Sequence, residues 1–209
     1  MIQQIIEWDQ NGSSISFDPE VPREQMLSRS YFDGGHPLFG GYGGLGYADF
    51  PVHAITAQRV IERHPQSVLE LGCGRSYIVK RLQDAGIDAC GVDISKHCLM
   101  TRAADRFWVH DACSAPFQFL RRFDLIFSMD FFDHVPEKFL PLIAFEMERV
   151  GKHGLHGINF ESDGGGDRTR CCIHDKAWWK ARMPPGHEVV AKQELEQGPL
   201  PPAVRDGDG

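Results

Sequence analysis

The sequence predicts an α/β protein in three layers, a mostly parallel sheet of six or seven strands with helices on both faces. From residue 51 onward, apolar runs of strand length alternate with segments of helical period, and the strand runs are apolar almost throughout, as strands covered on both faces should be. Size agrees: 209 residues with 42% hydrophobic side chains suffice for a core that buries roughly 70% of the extended chain's surface.

Residues 1–50 differ from the rest. NGSSISFDPEVP is rich in turn formers, and YFDGGHPLFGGYGGLGYADFP sets seven glycines among aromatics. Glycines permit close approach and aromatics fold back over a surface or ligand, so this stretch is expected to cover a main domain of residues 51–197 as a lid. Tyr42 and Tyr47 are its candidate ligand contacts, and Phe39 and Phe50 its packing residues.

A helix is expected from Asp49, with Pro51 in its first turn and His64-Pro65 at its end. SVLELG reads as the first strand, YIVKRLQDAG as a helix closed by Gly86, DACGVD as the second strand and SKHCLMTRAA as a helix. FWVHD is the third strand, FDLIFSM the fourth, PEKFLPLIAFEMERVG a long helix and GLHGINF the fifth strand. ESDGGGDRTR is a polar loop, either a surface excursion or part of the substrate rim, DKAWWKARM a short helix, HEVVAKQEL a final strand, and residues 198–209 a flexible tail. Either TRCCIH supplies one more strand or the sheet stops at six; a shortened edge is compatible with a homodimer.

Composition narrows the function. The 22 Lys and Arg against 29 Asp and Glu give a net charge of -7, which argues against a protein that holds nucleic acid by neutralising phosphates. No run approaches the roughly 18 apolar residues of a membrane span, and the first residues have no signal-peptide pattern, so a cytoplasmic protein is expected. Six cysteines without a CxxC pair read as reduced thiols. Neighbouring residues on a strand face opposite ways, which disfavours Cys171, Cys172 and His174 as zinc ligands. No metal is assigned, Asp163 and Asp167 being the weak alternative.

The chemistry concentrates in VLELGCGRS, Val68 to Ser76. An acidic residue ending a strand, followed by Gly-Cys-Gly entering a helix, brings backbone N–H groups to a ligand with no side chain in the way. A dinucleotide-binding loop needs a third glycine, and that position is Tyr77, so a bound pyrophosphate is disfavoured. Asp93 follows Glu70 by 23 residues and ends the second strand, where a carboxylate can take both ribose hydroxyls. Asp111 ends the third, where it can accept from an adenine amino group. This layout fits a nucleoside without a long phosphate chain.

With these residues in view, the chain resembles the class I S-adenosylmethionine-dependent methyltransferases, which have a Rossmann-like fold. The resemblance covers roughly residues 53–160 and rests on the ELGCG loop, GVDIS, HDA and FDLIFSMDFFDHVPE. It implies S-adenosylmethionine as cofactor and S-adenosylhomocysteine as product. Gly72, Cys73 and Gly74 would hug the methionine part, Glu70 would order the loop, Asp93 with Ile94 would serve the ribose, Asp111 and Ala112 the adenine, and Ser128 with Met129 would line the cofactor. SMDFFDHVPE resembles the small-molecule branch and lacks the Asn-Pro-Pro-Tyr of many base and glutamine methylases. It makes His134 the candidate base, because imidazole accepts a proton near neutral pH, with Asp130 and Asp133 to orient it or bind the acceptor. Tyr42, His134 and Trp178 are candidate acceptor contacts.

The expected activity is methyl transfer to oxygen or nitrogen of a small metabolite. An RNA or protein acceptor, which needs a basic patch around Arg102, Arg106, Arg121 and Arg122, is the enzymatic alternative. A cofactor-binding scaffold without turnover is the other.

Overall fold

The computed structural model describes residues 23, 27–34, 41–42, 46–114, 116–161 and 167–198. Phe39, Asp163 and the tail beyond residue 198 lie outside them. In order come α1 (Arg29–Asp33), α2 (Pro51–Ile61), β1 (Ser67–Leu71), α3 (Tyr77–Asp84), β2 (Asp88–Asp93), α4 (Lys96–Met100), β3 (Phe107–Val109) and β4 (Phe123–Met129). Two single-turn 3-10 helices follow, Phe132–His134 and Glu137–Phe139, then α5 (Leu140–Val150), β5 (Gly151–Ile158), α6 (Lys176–Lys180), β6 (His187–Ala191) and α7 (Lys192–Glu196).

The six strands form one sheet in the order β3-β2-β1-β4-β5-β6, and every pairing is parallel. Strand order reverses between β1 and β4, so the crevice at their carboxyl ends is the place where this architecture binds ligands.

Alternation along the strands sorts the core into two layers. Leu69, Leu71, Cys90, Val92 and Ile126 face α5 and Trp179; Val68, Ala89, Leu125, Phe127 and Leu155 face α2, α3 and the aromatics Tyr31 and Phe32. By the same parity Glu70 and Asp93 project from the second face, toward the N-terminal aromatics. Each fully buried Val, Leu, Ile or Phe side chain in these layers contributes roughly 1.5–3 kcal/mol.

Local signals set several boundaries. Pro51 opens α2, Gly86 at φ 81 stops α3, and the Asp175 carboxylate accepts the Trp178 N–H at 2.7 Å to start α6. Other boundaries differ from the sequence expectation. HEVVAKQEL splits after Ala191, where Glu194 caps the Ala191 N–H at 3.0 Å and turns the remainder into α7. The expected long helix begins as a 3-10 turn and becomes α-helical at Leu140, and β5 starts three residues early, at Gly151. The helix after β2 is confined to Lys96–Met100. TRCCIH forms no strand: the Cys171 and Cys172 N–H groups instead donate to the Asp133 carbonyl at 2.8 and 3.0 Å. β6 therefore pairs directly with β5, without an intervening reversed strand.

A polar chain crosses β4, β5 and β6. Ser128 Oγ lies 2.9 Å from His156 Nδ1, and His156 Nε2 lies 2.9 Å from His187 Nδ1. A side chain at Gly154 would collide with the His187 ring, so the close approach depends on glycine there. Burial, reinforced by His187, holds His156 well below the usual imidazole value; burial and then His153 lower His187 to about 4.

Both depressed histidines bind protons more readily in the unfolded chain, whose imidazoles titrate near about 6.5. Their contribution to stability is therefore present above that value and lost as pH falls toward 4. Denaturant midpoints measured across this window should fall with pH, and a His156→Gln variant should show a shallower fall.

Candidate active site

The loop after β1 is built by backbone bonds to β2. The Gly72 and Cys73 N–H groups both donate to the Val92 carbonyl, at 2.9 and 3.0 Å. Gly72 and Gly74 take φ values of 69° and 50°, and a Cβ would meet the Phe131 ring at 2.5 Å or the Tyr47 ring at 2.6 Å. Left-handed backbone and close aromatic cover together require glycine at both places.

Asp93 fixes the other side of this loop. Its Oδ2 accepts the Gly74 N–H at 2.9 Å and its Oδ1 the Ser95 N–H at 2.8 Å. The net effect of burial, partly countered by these bonds, raises its carboxyl above the usual range. Glu70 lies beneath the loop; burial, then the charge of Asp93, raises it well above a normal carboxyl, and its Oε2 is buried without a hydrogen-bond partner.

A cavity opens here, between the glycine loop, the ends of β2 and β3 and the turn after β4. Tyr42, Tyr47, Gly72, Gly74, Asp93, Ile94, Asp111, Ala112, Met129, Asp130 and His134, all singled out from sequence, line it. Asp111 Oδ1 accepts the Cys113 N–H at 2.9 Å and pairs with Arg23 at 3.2 Å.

Other expected residues lie elsewhere. Glu70 sits below the loop, Cys73 is buried with its sulfur against Gly91, and Ser128 turns to His156. Asp133 is fully buried behind His134. Trp178 is outside the cavity: its ring stacks on His174 at 3.6 Å, with the Arg182 guanidinium 3.6 Å from its centre. The adjacent Trp179, not Trp178, enters the core.

The far end of the cavity is a charged network. Asp130, in left-handed backbone at φ 54°, meets Lys192 at 2.7 Å and Arg170 at 3.3 Å. Burial acts to raise its carboxyl, but Lys192, His134 and Arg170 outweigh it and hold it below the usual range. Asp133 lies 3.2 Å from Arg170 Nε; burial, despite the cations, raises it to about 6. His134 Nδ1 lies 2.7 Å from Thr169 Oγ1.

Sequence reasoning missed Arg23, Tyr31, Thr169, Arg170 and Lys192. The rim loop was legible as polar, but its contact with the turn after β4 has no local signature, and Lys192 stood in an expected strand.

Among the described residues, two groups bring three possible metal donors within 4.8 Å of one another. Glu137, Cys172 and His174 lie outside the cavity. In the other, Asp130, Asp133 and His134, positive charge already comes from Lys192 and Arg170.

This arrangement defines a nucleoside-binding α/β protein: a doubly wound sheet, a glycine loop locked to an acidic strand end, and a second carboxylate after β3. Tyr77, at the position of a third glycine, stacks on His53 with ring centres 5.4 Å apart. A family model described as a methyltransferase domain matches residues 68–154. That match spans less than half of the chain and takes in the glycine loop, Asp93, Asp111 and the turn after β4; the fold is the Rossmann-like one of the class I S-adenosylmethionine-dependent methyltransferases.

Among solved structures, YcgJ from Bacillus subtilis is similar at 18% identity over 61% of this chain and 65% of that one, with a TM-score of 0.50. A TehB-like S-adenosylmethionine-dependent methyltransferase from Corynebacterium glutamicum is similar at 23% identity over 53% of this chain, with a TM-score of 0.46. The chain spans 64% of the Corynebacterium protein's length. No curated protein matches.

The residues fit S-adenosylmethionine as cofactor. The cradle at Gly72 and Gly74 excludes any Cβ, the Asp93 carboxylate is held by two main-chain donors, and the buried Glu70 Oε2 is an acceptor awaiting a donor. Replacing Asp93 with Ala removes the loop's anchor and a charged hydrogen-bond acceptor, each such bond being worth about 1.5–3 kcal/mol. Calorimetric titration with S-adenosylhomocysteine should show Asp93→Ala binding about 100-fold more weakly. Gly74→Ala should also weaken it.

Proposed function

We propose that this protein transfers a methyl group from S-adenosylmethionine to an oxygen or nitrogen of a small molecule. One observation carries the reading: one cavity runs from Asp93 and Asp111 to Asp130, Phe131 and His134. Nucleoside-type acceptors and a proton acceptor thus share one space.

In this reading Asp93 takes the ribose hydroxyls, Asp111 and Ala112 the adenine, and Gly72 and Gly74 the methionine part. Bound there, the cofactor supplies an electrophilic methyl on a sulfonium. The protein's own residues do the rest. Tyr42, Tyr47 and Phe131 exclude water, and the walls orient the acceptor, which in methyl transfer accounts for much of the rate. His134, lining the far end, takes the proton of a hydroxyl acceptor while its O–H electron pair remains on oxygen for the new bond to carbon.

The charge pattern favours a small acceptor over RNA. Arg106 and Arg121 both pair with Asp88, Arg102 donates to the Leu99 carbonyl, and Arg122 is engaged by the Glu148 and Gly151 carbonyls. The basic patch required by a polyanionic acceptor is thereby largely spent on internal partners.

The test is S-adenosylhomocysteine release over a panel of phenols, carboxylates, amines and short RNAs. Turnover on a small hydroxyl or amine is expected; turnover on RNA alone, or cofactor binding with none across the panel, would overturn the reading. With a hydroxyl acceptor, His134→Gln should lower kcat by about 10²–10⁴ while leaving cofactor affinity within about twofold. An amine acceptor presented unprotonated should be affected far less.

A further inference from the structure

The hydrogen-bond chain behind His134 fixes more than its position. Asp167 is surrounded by donors: its Oδ2 accepts from Tyr31 O–H at 2.6 Å, and its Oδ1 accepts from the Thr169 N–H at 3.0 Å and the Thr169 hydroxyl at 2.6 Å. The Thr169 side chain is 2% exposed at residue level, so water does not compete freely for it. Burial, then Tyr42 and Asp167, raises Tyr31 well above the usual phenol value, which keeps its proton in place as a donor.

Proton counting then runs in one direction. A carboxylate only accepts, so the single Thr169 hydroxyl proton points at Asp167. The Thr169 oxygen must therefore act as acceptor toward His134 Nδ1, at 2.7 Å. That contact is satisfied only if Nδ1 carries the proton, which leaves the lone pair of a neutral ring on Nε2. The nearest carboxylate oxygen to Nε2, Asp133 Oδ2, is 3.9 Å away, beyond hydrogen-bond range.

We propose that Thr169 and Asp167 are positioning residues that hold His134 in its Nδ1–H tautomer, with Nε2 as the proton-accepting atom, and that Tyr31 anchors this relay from the N-terminal segment. The inference rests on His134 being the base. It deepens that reading by naming the reactive nitrogen and the residues that select it. It also links the segment before residue 50 to proton transfer: Tyr31 lines the cavity and holds the carboxylate at the far end of the chain.

The groups facing His134 are accounted for. Asp133 and Asp130 lie on its own turn and the preceding strand end, Asp93 acts on it across the cavity, and Arg170 joins both Asp130 and Asp133. Of these contacts, only the Thr169 bond distinguishes one ring nitrogen from the other.

Long-range ¹H–¹⁵N spectra of histidine-labelled full-length protein at about pH 8.5, where an ordinary imidazole is neutral, read the tautomer directly. His134→Gln identifies the signal. The wild-type ring is expected as Nδ1–H; a wild-type Nε2–H pattern overturns the proposal without any variant having to fold. Thr169→Val should convert the ring to Nε2–H, and Thr169→Ser should retain Nδ1–H. An unchanged tautomer in folded Thr169→Val overturns the assignment of Thr169.

Parallel S-adenosylhomocysteine calorimetry and turnover separate this inference from the functional reading. If Thr169→Val switches the tautomer and lowers kcat on a hydroxyl acceptor about 100-fold, at unchanged cofactor affinity, both stand. If it switches the tautomer with kcat unchanged, the relay stands and His134 is not the base.

Discussion

The site depends on one carboxylate, that of Asp93. Two main-chain donors reach it from different segments, Gly74 from the loop after β1 and Ser95 from the start of α4. The bonds join the ends of adjacent parallel strands at the point where the chain's order reverses. They also hold a buried acid at the mouth of the crevice, a costly placement that its donors offset. Were this acid absent, Gly74 would lose its acceptor, and the loop whose left-handed glycines meet Tyr47 and Phe131 would lose its anchor.

Around that anchor the molecule separates two kinds of polarity. Beneath the loop, burial and then the charge of Asp93 push the Glu70 carboxyl well above its usual range. At the far end, Asp130 is kept charged by Lys192 and Arg170. The two carboxyl groups, one below the loop and one in the cavity wall, thus differ because their surroundings differ: desolvation dominates in the first, and paired cations in the second. The division suits a ligand that carries its nucleoside at one end and its reactive centre at the other. The same cations bind the rim loop and α7 to the turn after β4, so the walls of the acceptor end come from segments far apart in sequence.

The Ser128–His156–His187 chain illustrates a different use of polar groups. It lies inside the sheet, away from the cavity, and its depressed imidazoles tie acid stability to the pairing of β4, β5 and β6. Such a satisfied buried network specifies register more than it adds stability. It spans the last three strands, which run parallel in direct succession, with glycine at position 154 where the His187 ring approaches.

The sheet and the cofactor end of the site were largely legible in the sequence, because both obey short-range rules. Strand-length apolar runs alternate with helical periods, acids stand at strand ends, and Gly-Cys-Gly follows the first of them; period-two alternation alone puts Glu70 and Asp93 on one face. The end of β6 was misread because the capping bond between Glu194 and Ala191 competes with a plausible strand pattern. Trp178 and Trp179 could not be separated, since two adjacent aromatics on a short helix differ only in which side meets the sheet. The network of Tyr31, Asp167, Thr169, His134, Arg170 and Lys192 had no local signature either. Its members are drawn from the N-terminal segment, the rim loop, the turn after β4 and α7, and hydrogen bonds between such distant pieces are set by the packed layers. The sequence by itself determined the fold class, the glycine loop and the acids that flank it; tertiary structure decided which nitrogen of His134 meets Thr169, because that depends on donors and acceptors no spacing rule connects.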